Sequence, residues 1–206
     1  MKRVIICILL SIIPISMGFS QESKVSLGET LKWIKSKIDE SSYSESEDNE
    51  LENYFATRFY RYKMEILDKG MIRIYESYKF ESDKSRDIKD KWTGKHAYTE
   101  EVRTQIVKAT NTFTIPLKWL EINSCKYSGG YLTLKTLGEK IDYTETGTSE
   151  TIYRIPDPDK IRRKEIRKKG KTNGYSLGID SKKLVPRLFK AFIHAAKLCG
   201  AKDEPF

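Results

Sequence analysis

Histidine and cysteine are scarce in this chain, with two of the first and three of the second in 206 residues. A nucleophile needs a nearby base, and the base needs an orienting group. With His96 and His194 as the only imidazoles, such a centre has few ways to form. His194 falls on the basic side of a helical pattern. His96, in "GKHAYTEE", stands beside Glu100 and Glu101 without a repeated ligand spacing, so no metal site is read. CxxC, GxxxxGK[ST] and GxGxxG are all missing, so no thiol-redox or nucleotide-phosphate motif is in view. No catalytic residue and no cofactor is assigned. Paired carboxylates of the glycosidase kind are a matter of spatial placement, which leaves a hydrolase as a third reading behind two binding ones.

A long apolar run is missing too. Val4–Ile13 follows Lys2 and Arg3, is broken by Pro14, and leads to Gly18 and Ser20. This run falls short of the roughly 20 residues that span a bilayer. The pattern predicts a signal peptide over residues 1–20, cleaved after about Ser20, and an exported protein in the periplasm or outside the cell. No transmembrane segment would remain after cleavage. The formal charge would fall from +9 to +7 with the loss of Lys2 and Arg3. Cys7 would leave as well. Cys125 and Cys199 are then either a disulfide, which an oxidising compartment permits, or two small buried apolar side chains; the second reading is favoured.

What is present is patterned. Residues 21–53 read as a helix and an acidic linker. Ser26 and Glu29 have capping-box spacing, and Leu27, Leu31, Ile34 and Ile38 recur at helical spacing. "SSYSES" and "EDNELE" follow as the linker. Residues 54–206 read as a β-domain. "YFATRFYRYKMEI" and "MIRIYESYKF" alternate around Leu67–Gly70, a hairpin. Tyr54, Tyr60, Tyr62, Tyr75 and Tyr78 on it suit either a ligand face or a half-buried sheet, with the sheet favoured. Residues 81–112 read as a polar insertion with a short helix in "TEEVRTQIVKA". Strands are expected again in 113–125, "YLTLKTL", "KIDYTE", "TIYRI" and "YSLGI". Residues 184–199 read as a closing helix, with Val185, Leu188, Phe189, Phe192, Ala195, Ala196 and Cys199 on its apolar side.

Strands followed by the amphipathic "RLFKAFIHAAKLCG" resemble the pleckstrin-homology-like fold over roughly residues 54–200. The resemblance implies a mainly β (α+β) protein: a bent antiparallel β-barrel plugged by its C-terminal helix, used for binding more often than for catalysis. The ending "AFIHAAKLCGAKDEPF" is also similar to the tails of uncharacterised secreted bacterial proteins, which implies no activity.

One stretch stands out by charge. In "KIRRKEIRKKGK", Lys160, Arg162, Arg163, Lys164, Arg167, Lys168, Lys169 and Lys171 face a single acid, Glu165. Its two isoleucines fit neither a helical stripe nor strand alternation, so an exposed loop or hairpin tip is expected. It lacks the interleaved aromatics of a single-strand nucleic-acid binder, and no nucleic-acid partner is expected. The run is either solvated, with the acidic linker nearby as counter-charge, or a surface for an anionic envelope component or an acidic protein. The leading reading is a non-enzymatic binding module at the cell envelope. The alternative is a carrier of a small apolar ligand held between the sheet and the closing helix.

Overall fold

The computed structural model describes residues 25–49, 54–89, 93, 96–154 and 160–202. The expected signal peptide lies outside them. Helix α1 (Leu27–Asp39) starts at a full capping box: the Glu29 N–H donates to the Ser26 hydroxyl and the Ser26 N–H to the Glu29 carboxylate, at 3.2 and 2.9 Å. Strands β1 (Ser42–Asn49), β2 (Tyr54–Ile66), β3 (Met71–Lys89) and β4 (His96–Pro116) follow, then β5 (Lys126–Ser128), β6 (Tyr131–Lys135), β7 (Ile141–Tyr153), β8 (Lys160–Thr172) and β9 (Gly174–Gly178). Helix α2 (Val185–Leu198) closes the described chain, with Pro186 in its first turn, where a missing N–H costs nothing.

The strands form two antiparallel sheets, one of six in the order β1-β2-β3-β4-β7-β8 and one of three in the order β5-β6-β9. The expected closed barrel is not found among the described residues. The chain leaves β8 at Asn173 and enters β9, which pairs with β6, so β1 and β8 remain the two outer strands of an open sheet. The mainly β character and both terminal helices are as expected.

The core sits at one end of the large sheet. Tyr62 and Met64 of β2, Ile72 and Ile74 of β3, Ile115 of β4 and Ile141 of β7 define what is called here the inner face. Against it lie Leu132, Leu134, Tyr175 and Leu177 of the small sheet and the apolar sides of α1 and α2. Leu188 and Phe192 are fully buried, while Phe189 is half-buried with its ring 5.1 Å from that of Tyr127. Helix α1 is tied to β2 where Asp39 accepts the Met64 N–H at 2.7 Å.

Several expectations are corrected. The acidic segment after α1 is not a linker over its first part but outer strand β1, paired from Ser42 to Asn49; residues 50–53 lie outside the described ones. Residues 81–89 and 96–112 are no insertion and hold no helix: they are the far parts of β3 and β4, in register from Met71↔Pro116 to Lys84↔Arg103 before a bulge. β-Branched Thr104, Ile106, Thr110, Thr112 and Thr114 favour this over a helix. The two strands expected in "KIDYTE" and "TIYRI" are one, β7, which runs through Gly147 in unbroken register from Ile141 to Tyr153. A Cβ at Gly147 would lie 2.3 Å from the Lys108 carbonyl oxygen and 2.5 Å from Ala109, so only glycine lets the strands approach this closely. The basic run is likewise no loop. It is β8, hydrogen-bonded to β7 along its whole length.

Candidate functional site

A strand sorts consecutive side chains onto opposite faces, and this divides the basic run. Register places Lys160, Arg162, Lys164 and Lys168 on the inner face, and Arg163, Arg167, Lys169 and Lys171 on the outer face. On the outer face three cations have acids at hand: Arg163 meets Glu150 at 3.6 Å, Arg167 meets Glu165 at 3.0 Å and Lys171 meets Asp142 at 3.8 Å. These pairs are exposed and worth little individually, but they cancel charge. On the inner face only Lys168 is paired, with Glu145 at 2.8 Å. Lys160, Arg162 and Lys164 are exposed and have no acidic partner among the described residues. The Arg162 guanidinium lies 5.5 Å from the centre of the Tyr153 ring.

Cross-strand rows extend this unpaired group. Lys84, Arg103, Tyr153 and Lys160 form one row, Ser82, Gln105, Thr151 and Arg162 the next, and Phe80, Val107, Ser149 and Lys164 a third. From β3 to β8 these rows carry five cations and no carboxylate. Gln105 donates to the Ser149 hydroxyl at 3.3 Å within them. Contrary to the reading that set the acidic segment near the basic run as counter-charge, strand β1 is the opposite edge of the sheet, five strand spacings or about 24 Å across it.

Below the cationic rows the inner face holds a belt of polar side chains set among aromatic rings. Glu145, 5% exposed, accepts hydrogen bonds from Tyr78 at 2.7 Å, Tyr143 at 2.8 Å and Lys168. Burial raises its pKa, but the bonds from Lys168 and the two tyrosines prevail and hold the carboxyl below its ordinary value. Glu45 of β1 behaves alike: desolvation opposes ionisation, while Tyr131, Arg58 and Tyr60 outweigh it. Glu76 differs. It is 8% exposed, its one hydrogen bond comes from the Asn111 amide at 2.9 Å, and burial pushes its pKa up. Two polar atoms near it are buried with no partner: Asn111 Oδ1 and the Tyr175 hydroxyl. Arg58, Tyr60, Tyr78, Phe80 and Val107 stand around Glu76 and Asn111 to form a recess of about 310 Å³.

Sequence reasoning missed this recess because its members are scattered over β2, β3 and β4. A signal was nonetheless present: Glu76 falls between Ile74 and Tyr78 on the inward phase of the β3 alternation, where an acid is costly unless partnered.

The remaining sequence candidates fall elsewhere. Cys125 and Cys199 are free thiols, the first taking the Lys135 N–H at 3.3 Å and the second lying over Gly70; burial raises both pKa values, which suits inert packing. His194 is exposed, with Nε2 3.3 Å from the Val25 carbonyl oxygen. The His96 side chain lies outside the described residues. No group of three or more potential metal ligands occurs among the described residues, and none of their helices is long and apolar enough to cross a membrane. No family model, curated protein or solved structure matches this chain.

Proposed function

We propose that this protein is a non-enzymatic binding module for an anionic component of the cell envelope, and that the inner-face cations are its contact. The single observation carrying this reading is the uneven neutralisation of β8: its outer-face cations are largely matched by acids, whereas Lys160, Arg162 and Lys164 join Lys84 and Arg103 in rows without a carboxylate. Like charges held together repel one another, and an arriving anion relieves that repulsion. A strand also holds them in fixed register, which an exposed loop would not. Export by a signal peptide supports the same setting.

The carrier reading gains no support from the seam between sheet and α2. Leu188, Phe192, Ala195 and Ala196 fill it, each fully buried.

The test compares two triple variants for binding to isolated envelope fractions at low salt. Replacing Lys160, Arg162 and Lys164 by Gln should weaken binding on the order of 100-fold, at about 1 kcal/mol per cation near an anionic surface. Replacing Arg163, Arg167 and Lys171 by Gln should weaken it far less. Equal loss in both, or no loss in the first, refutes the reading.

A further inference from the structure

We infer that the recess over Glu76 seats one neutral sugar ring of an acidic polysaccharide that alternates neutral and uronate units, with a neighbouring uronate on Lys164 and Arg162. This rests on the anion-binding reading above and names its ligand class.

The recess is built for a ring that is apolar on its faces and polar at its edge. Tyr60 and Tyr78 direct their hydroxyls away, to Glu45 at 3.3 Å and Glu145 at 2.7 Å, so they present ring surfaces to the recess. Phe80 adds a third aromatic wall and is held by the Arg58 guanidinium, 5.2 Å from its ring centre. At the floor, Asn111 spends its amide N–H on Glu76, which leaves Oδ1 a buried acceptor with nothing to accept. Tyr175, only 3% exposed and not part of the lining, carries a second unpartnered hydroxyl in the adjoining core. Buried polar atoms of this kind call for a partner.

Alternatives fit less well. A wholly apolar ligand leaves Asn111 Oδ1 unmatched. A cation finds Glu45 and Glu145 already engaged by Arg58 and Lys168. An anion in the recess itself meets the Glu76 carboxyl, whereas an uncharged hydroxyl or N-acyl N–H can donate to it.

The recess also shares a cross-strand row with one of the cations. Phe80 and Val107 share a row with Ser149 and Lys164, and Lys164 lies two strands from Val107, about 10 Å. In the row below, Ala109 is buried and Gly147 packs against the β4 backbone, so neither raises a long side chain between the recess and β8. A linear polymer can pass over these two small residues from a neutral subsite to a charged one.

The test uses the full chain and four probes: a hyaluronan hexasaccharide, chitohexaose as a neutral sugar, polyphosphate as a sugar-free polyanion, and phosphatidylglycerol vesicles. The parent should bind hyaluronan in preference to the other three. Asn111→Ala and Phe80→Ala should each weaken hyaluronan binding about 3- to 10-fold, the worth of one hydrogen bond or one wall, and leave polyphosphate unchanged. Melting curves check that each variant is folded; Phe80 lies outside the core, so its loss keeps the test open if Asn111→Ala fails to fold. Unchanged hyaluronan binding in the folded variants, or preference of the parent for polyphosphate or vesicles, overturns the sugar inference while leaving the anion reading intact. The Lys160, Arg162, Lys164 triple variant binding every probe as the parent does overturns the anion reading itself.

Discussion

The two ends of the large sheet are built on different terms. At the base, Met64, Ile74 and Ile115 are fully buried beneath the helices and the small sheet. Farther along the same strands, the core cluster stops at Ile74 on β3 and takes nothing from β8 among the described residues. β3 has 19 residues, about 60 Å at normal rise, several times the usual strand length. Its far part is held by ladder hydrogen bonds and cross-strand pairs rather than by a second layer. Exposed Phe55, Phe59 and Ile161 lie there without cover. The difference teaches that the base supplies stability and the far part supplies surface. Polar groups on the inward phase are tolerated there because they bond to one another, and the outer strand repels edge-to-edge copies of itself through its charge.

The comparison breaks most sharply under truncation. Phe192→Ala at the base should cost about 3–5 kcal/mol, because the side chain is fully buried and leaves a cavity. Phe59→Ala, at a ring 52% exposed, should stay within about 0.5 kcal/mol. Denaturant melts of both variants measure the contrast, and a similar cost for the two would mean that the far sheet is covered after all. The one large backbone effect expected outside the base is Gly147→Ala. Its Cβ would press on the β4 backbone, and overpacking of that kind costs about 1–3 kcal/mol.

These two ends also differ in how legible they were. Both helices, the N-cap of α1 and the β2–β3 hairpin followed from local patterns: the Ser26–Glu29 box, the apolar stripe of α2, the turn at Gly70. Their stability comes from one buried face each, and one buried face writes a period into the sequence. The far sheet was misread because it writes none. Residues 81–85 and 103–105 put polar side chains on both faces of their strands, so no apolar period marks them and they look like an insertion. β8 hid its strand character for the same reason, since nearly all its side chains are exposed whichever way they point. The recess was beyond sequence reading because pairing across three strands, not spacing along one, brings Glu76, Asn111 and Arg58 together.

Two buried acids on the inner face should show opposite responses to pH, and these are the smallest effects expected. Glu145 has a folded pKa below its ordinary value, through Lys168, Tyr78 and Tyr143 against the penalty of burial. The folded state therefore binds its proton less readily than the unfolded chain, and its contribution to stability is complete above the ordinary carboxylate pKa of 4.5 and lost as pH falls through the lowered value. Lys168→Gln should shrink that acid-side loss, modestly because Lys168 is 66% exposed and screened. Glu76 runs the other way. Its folded pKa is raised by burial, so the folded state holds the proton more tightly and stability declines as pH climbs from 4.5 to the raised value. Glu76→Gln has no such proton to lose. Its melting temperature should match the parent near pH 4 and exceed it increasingly toward neutrality, a divergence that thermal melts across that range would detect. A constant offset at all pH values would show instead that Glu76 is as well solvated in the fold as in the unfolded chain.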